Sequence, residues 1–223
     1  MRALKKNQVL LAIDYVGPMQ VAVREGFTGM ANIVVELFHL EMTFPLREKS
    51  FRAQMNVEKD CIAKLKAYAP GYRITFLKSD NAAEYVGGEL EAFCDKNKIV
   101  QQLSAPYYLQ QNGKVERGNH DIVEMARSMM LDANLPTSYW ADAVVCAAYA
   151  RNRCPKKVLD GKTPMEALFG TPPDSQLRGF DHKMQALVPK EHKTKLDDKT
   201  RNGIFVGYAS GGAYTSCITA LAK

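Results

Sequence analysis

Three acidic residues, Asp14, Asp80 and Glu116, stand where phosphoryl-transfer chemistry needs them. Asp14 closes the apolar run Leu10-Leu11-Ala12-Ile13, and Asp80 follows Arg73-Ile74-Thr75-Phe76-Leu77 and the polar pair Lys78-Ser79. Glu116 opens a helical pattern after Gln110-Gln111-Asn112-Gly113, with thirty-five residues separating it from Asp80. Two acids at strand ends and one on a helix suit a pair of divalent ions about 3.5–4 Å apart, which clamp the attacking and leaving oxygens of an in-line displacement. Each acid also has an ordinary use. Asp14 could be hydrogen-bonded to a nearby turn, since a buried carboxylate needs some partner. Asp80 could be a turn residue, and Glu116 a first-turn acid complementing a helix dipole. Taken together at this spacing, the three point to a metal site.

The elements that must position these acids follow from periodicity. Gln8 to Tyr15 is expected as a buried strand, with Gly17-Pro18 as its turn. Further strands are expected at Val21-Ala-Val, Ile33-Val-Val and Glu41 to Leu46, where Pro45 suggests a sheet edge. Met55, Cys61, Ile62, Leu65 and Tyr68 recur at helical spacing between Ser50 and Ala69, and Pro70-Gly71 ends that helix. A strand over Arg73 to Lys78, a short helix over Gly88 to Asn97 and a last strand over Ile99 to Leu103 complete the sheet. A long helix then buries Val115, Ile122, Met125, Ala126 and Met129; Glu116, one step on from Val115, falls at the rim of that face. Pro136 opens an Ala- and Val-rich helix, and Thr163-Pro164-Met165-Glu166 is a capping box ahead of a short helix ended by Gly170. Beyond Gly179 the pattern changes to short strands joined by a charged loop from Lys190 to Arg201.

Composition narrows the partners. The 223 residues are 46% hydrophobic and 24% charged, as in ordinary globular proteins, and allow one substantial core with a small appendage. A net charge of +6 leans toward a polyanionic partner. Cys61, Cys94, Cys146, Cys154 and Cys217 are odd in number and form no CxxC pair, which suits reduced thiols in an intracellular protein. The four histidines show no paired ligand spacing, so no zinc is expected. Val9 to Ile13 is too short for a signal peptide, and no stretch reaches the ~18 apolar residues of a membrane span, so the expectation is a soluble protein with no membrane partner.

Several ordered motifs carry a family resemblance: Asp14-Tyr-Val-Gly-Pro-Met, Ser79-Asp80-Asn81 with Glu84-Tyr85, Ser104-Ala-Pro-Tyr, Gln110-Gln-Asn-Gly and Glu116-Arg-Gly-Asn. It extends through Glu124-Met-Ala-Arg-Ser-Met-Met, Asn134-Leu-Pro, Tyr139-Trp-Ala and Thr163-Pro-Met-Glu-Ala. The chain resembles the integrase core of copia-type LTR retrotransposon polyproteins. That resemblance implies an α/β fold, an RNase H-like mixed sheet flanked by helices over residues 1–171, with a small SH3-like β module over 180–223. It implies Asp14, Asp80 and Glu116 as catalytic metal ligands for two Mg2+ or Mn2+ ions, Asp14 bridging both. It also implies DNA, as element ends and target, for partner, a homo-oligomeric active form, and work in the nucleus or a virus-like particle. Gln111 and Asn112 in the loop beside the site, and Lys114, Arg117 and His120 on the helix, are the candidate DNA contacts.

The chain also departs from the pattern. Ala82-Ala83 replaces a Gly-Gly, Val35-Glu36 stands where two adjacent Asp are common, Leu109 replaces a Pro, and the family's upstream zinc module is not seen ahead of the first strand. A polyprotein fragment or a decayed copy is therefore expected. Against an active integrase stand a silent remnant that binds nucleic acid without sequence preference, and an RNase H-type nuclease. Gln110-Gln-Asn-Gly is not expected in the nuclease.

Overall fold

A computed structural model describes residues 7–21, 25–79, 88–103, 113–173, 177–187, 198–208 and 214–217. Strands β1 (Gln8–Val16), β2 (Gly29–Val35) and β3 (Leu40–Leu46) form an antiparallel meander, and β4 (Arg73–Ser79) and β5 (Val100–Leu103) add in parallel on the far side of β1. The sheet order is β3-β2-β1-β4-β5. Strand β1 is central, so both its faces are covered and Val9 to Ile13 read as a continuous apolar run rather than an alternation. Parallel neighbours require crossovers, which helices α1 (Phe51–Tyr68) and α2 (Gly88–Asn97) supply. Helix α1 starts where Ser50 Oγ accepts the Ala53 N–H at 3.2 Å, a serine N-cap. Of the early strand expectations, Val21 lies in a bend and residues 22–24 fall outside the described set.

The two faces of the sheet are packed differently. Leu11, Ile13 and Leu77 point to α1 and α2, where Cys61, Ile62, Leu90 and Cys94 complete one core. Leu10, Ala12 and Val34 point the other way, onto Val115 of helix α3 (Gly113–Asp132). At the β3 edge the Asn152 side chain takes over strand pairing. Its Oδ1 accepts the Glu41 N–H at 2.9 Å and its Nδ2 donates to the Glu41 carbonyl at 2.7 Å. With Pro45 two pleats further along, which has no N–H to offer, this edge is closed to strand addition over much of its length.

Helix α4 (Trp140–Arg151) follows a 3-10 turn at Thr137–Tyr139, and α5 (Pro164–Phe169) is capped by Thr163 Oγ1, which accepts the Glu166 N–H at 3.0 Å. The last strands, β6 (Lys183–Leu187), β7 (Thr200–Tyr208) and β8 (Tyr214–Cys217), form a separate antiparallel sheet in the order β6-β7-β8. Among the described residues, the buried side chains of this sheet belong to a core shared with the helices. Phe180, Ile204, Phe205 and Val206 share one cluster with Trp140, Val144 and Ala147 of α4 and with Ile122 and Ala126 of α3. Tyr149 stacks on Tyr208 at 3.6 Å between ring centroids, and the Arg153 guanidinium lies 3.3 Å from the Tyr149 ring centroid on the same stack.

Candidate active site

Asp14 is half-buried near the end of β1. Its Oδ1 accepts the Tyr15 N–H at 2.9 Å, and its Oδ2 accepts the Asn119 Nδ2 amide at 2.8 Å. Asn119 is on α3 one turn after Glu116, and side chains three apart on a helix share a face. Glu116 therefore occupies the same stripe of α3 as the residue that touches Asp14, at the exposed end of that stripe. Val115, fully buried against Leu10, Ala12 and Val34, seats this first turn on the sheet. At Gly118 a Cβ would lie 3.5 Å from Asn32 Nδ2 and 3.7 Å from Glu41 Oε1, ordinary contact distances that place this turn of α3 directly over both side chains.

Beneath α3 the sheet is polar where a core would ordinarily be apolar. Asn32 is fully buried, stands opposite Asp14 in the β1–β2 register, and accepts the Thr43 hydroxyl at 3.1 Å. Asn32 Nδ2, a donor, and Asn119 Oδ1, an acceptor, are both buried without a hydrogen-bond partner. Leaving such groups unmade costs about 1–3 kcal/mol each, so their presence beside Asp14 is a departure from packing economy at the expected site.

Not every expected residue can be placed. The parallel register pairs Ala12 with Lys78, and β4 ends at Ser79, so the strand delivers the chain to the end of the sheet where Asp14 sits. Asp80 itself, Gln111, Asn112 and the Ala82-Ala83 pair lie outside the described residues. Among the described residues no three His, Cys, Asp or Glu side chains come together as a ready metal cluster. The donors that are described near one another, Asp14 with Asn119, offer oxygens suited to a hard cation.

The expected cations face outward from α3, with one qualification. Lys114 is exposed, yet its Nζ is 2.9 Å from Glu36 Oε2, so its charge is already answered. Lys78, nearly buried on β4, has its pKa lowered by burial, with Lys114 adding to the lowering and Glu36 opposing it. Arg117 is exposed, and His120 Nδ1 stands 3.8 Å from Asp121 Oδ1 at the surface. Sequence reasoning gave no role to Asn32, Asn119 or the Glu36–Lys114 pair. Asn119 lay within a quoted motif, but only the fold shows its side chain meeting Asp14 from 105 residues away.

Comparison with known proteins fits this geometry. A family model described as the retroviral polymerase SH3-like domain matches residues 183–217. The retrovirus-related Pol polyprotein from transposon TNT 1-94 of Nicotiana tabacum is 32% identical over 200 residues, covering 89% of this chain but 15% of the polyprotein. The chain thus spans a small part of the length of that relative. Among solved structures, the HTLV-2 integrase catalytic core domain in complex with magnesium (trimeric form) matches with a TM-score of 0.56 at 18% identity, covering 75% of this chain and 99% of that one. The simian T-cell lymphotropic virus intasome in complex with PP2A regulatory subunit B56 gamma matches with a TM-score of 0.60 at 16% identity, covering 99% of this chain and 79% of that one. The five-stranded mixed sheet flanked by helices is accordingly the RNase H-like fold of integrase catalytic cores.

Proposed function

We propose that this chain, a homologue of retrovirus-related transposon Pol polyproteins with the fold of an integrase catalytic core, performs the polynucleotidyl transfer that joins element DNA to target DNA. The observation that carries this function is the Asn119 amide fixed on Asp14, one turn from Glu116. Asp14 and Glu116, with Asp80 from the end of β4, would hold Mg2+ or Mn2+, and the magnesium bound to the HTLV-2 core supports that choice. When bound, a pair of such ions supplies Lewis acidity to the scissile phosphate and lowers the pKa of an attacking water or 3′-hydroxyl.

The chain's own residues do the rest. Asn119 and the Tyr15 amide hold the Asp14 carboxylate in one orientation, so that no ordering remains to be done when a ligand arrives. Arg117 and His120, with Lys114 and the neighbouring Gln111 and Asn112, are the contacts for DNA backbone on either side of the site. Residues 1–171 form the catalytic unit and 180–223 the SH3-like module, and the active species is an oligomer engaging two element ends.

The test is a donor-end assay with the purified chain, with and without an upstream zinc module, in Mg2+ or Mn2+. Metal-dependent trimming or strand transfer that disappears in Asp14→Asn and Glu116→Gln variants is the expected outcome. Salt-sensitive DNA binding with no activity under any of these conditions would leave the silent-remnant alternative standing instead.

A further inference from the structure

Glu41 on β3 is almost wholly buried, yet it is an acid on an edge strand. Three groups compensate it. Arg151 Nε donates to Oε2 at 2.8 Å, Arg151 Nη2 donates to Oε1 at 3.1 Å, and Lys156 Nζ donates to Oε1 at 3.0 Å. The same Arg151 Nη2 also donates to Asp121 Oδ2 on α3 at 3.0 Å. Asn152, the next residue, clamps the Glu41 backbone. Two acids and two bases therefore form a neutral quartet that ties the β3 edge, the end of α4 and the middle of α3 together. A bidentate, shared guanidinium fixes angles as well as distances, which a lysine at that position could not.

We infer that Arg151 is a positioning residue for the metal site: by pinning Asp121 to Glu41 it sets how α3 lies on the sheet, and so where Asn119 meets Asp14. Asp121 is two residues beyond Asn119, and a Cβ built at Gly118 on the same stretch would be in van der Waals contact with Glu41 Oε1 at 3.7 Å. A shift of α3 at Asp121 is transmitted directly to the Asn119 amide, whose hydrogen bond to Asp14 tolerates little displacement. The role in catalysis rests on the metal-site function proposed above; the mechanical link from Arg151 to Asn119 does not.

The experiment follows the side-chain amide signals of Asn119 by NMR in the metal-free chain, alongside Mn2+ affinity and thermal stability. Arg151→Met is expected to move the Asn119 amide signals and weaken Mn2+ binding roughly tenfold, the scale found for groups that orient a metal ligand. Asp121→Asn removes one arm of the quartet at a half-exposed position and keeps the chain folded if Arg151→Met does not. It should move the same signals in the same direction by less. Leu90→Ala, on α2 in the core on the opposite side of the sheet, serves as a control that costs stability without touching the quartet. Asn119 signals that stay put in both variants, or that move equally in the control, overturn the inference. Signals that move in the variants while the wild-type chain binds no Mn2+ would leave the link intact and refute the metal site.

Discussion

Asp14 is aimed before any ligand arrives, since one oxygen is held by its neighbour's amide and the other by Asn119. Asn119→Ala should therefore lower Mn2+ affinity by about 10–100-fold, measured by calorimetry, while the helix beneath it keeps its seat through Val115. A second residue-scale consequence concerns Glu58 on α1, buried at 1% exposure, whose Oε2 has no hydrogen-bond partner. Burial pushes its carboxyl up to about 8, with Lys59 opposing the rise. An acid raised in the folded state stabilises fully below its unfolded pKa and loses that contribution as pH climbs to the folded one. Urea unfolding should thus show stability falling by about 3 kcal/mol between pH 5 and pH 8, a loss that Glu58→Gln largely abolishes. An unchanged pH slope in that variant would assign the dependence to other groups. The sequence exposed Asp14 because an acid ending an apolar strand is conspicuous. It could not expose Glu58, which looks like any charged position on an amphipathic helix.

Elements were legible where local chemistry decides them. Thr163 announces a helix start by the hydroxyl that caps it, and Pro45 marks an outer strand because it has no N–H to donate. Helix α4 was harder, since its Ala-rich run has no apolar stripe to orient it. The structure shows why: α3, β3 and β7 pack against most of it, and only Asp142, Val145, Tyr149 and Arg151 are partly exposed, so little of the helix needs a polar face. The C-terminal sheet, expected as a small SH3-like β module, shares a core with α4 through Phe205, which is fully buried. Phe205→Ala should cost about 3–5 kcal/mol and lower the unfolding midpoint of the whole chain in one transition, seen by circular dichroism and Trp140 fluorescence together. Two separate transitions would show that the module melts independently.

For the whole molecule, the net charge of +6 sets a salt-dependent attraction to DNA, and the structure redistributes it among the expected contacts. On sequence alone Lys114 and Arg117 count alike. In the fold Lys114 is neutralised by Glu36, so a phosphate must compete with a carboxylate already 2.9 Å away. Arg117→Ala should therefore reduce the slope of log affinity against log salt by about 0.9, the value for one released counterion on duplex DNA. Lys114→Ala should reduce it by visibly less. Glu36→Gln should do the reverse of both, freeing Lys114 and relieving the acid beside Lys78, so that affinity rises and the slope steepens. Fluorescence anisotropy on one duplex over a range of salt concentrations separates the three variants. Equal losses for Lys114→Ala and Arg117→Ala, with no gain in Glu36→Gln, would mean that the ion pair opens freely in solution and that charge count alone governs DNA binding.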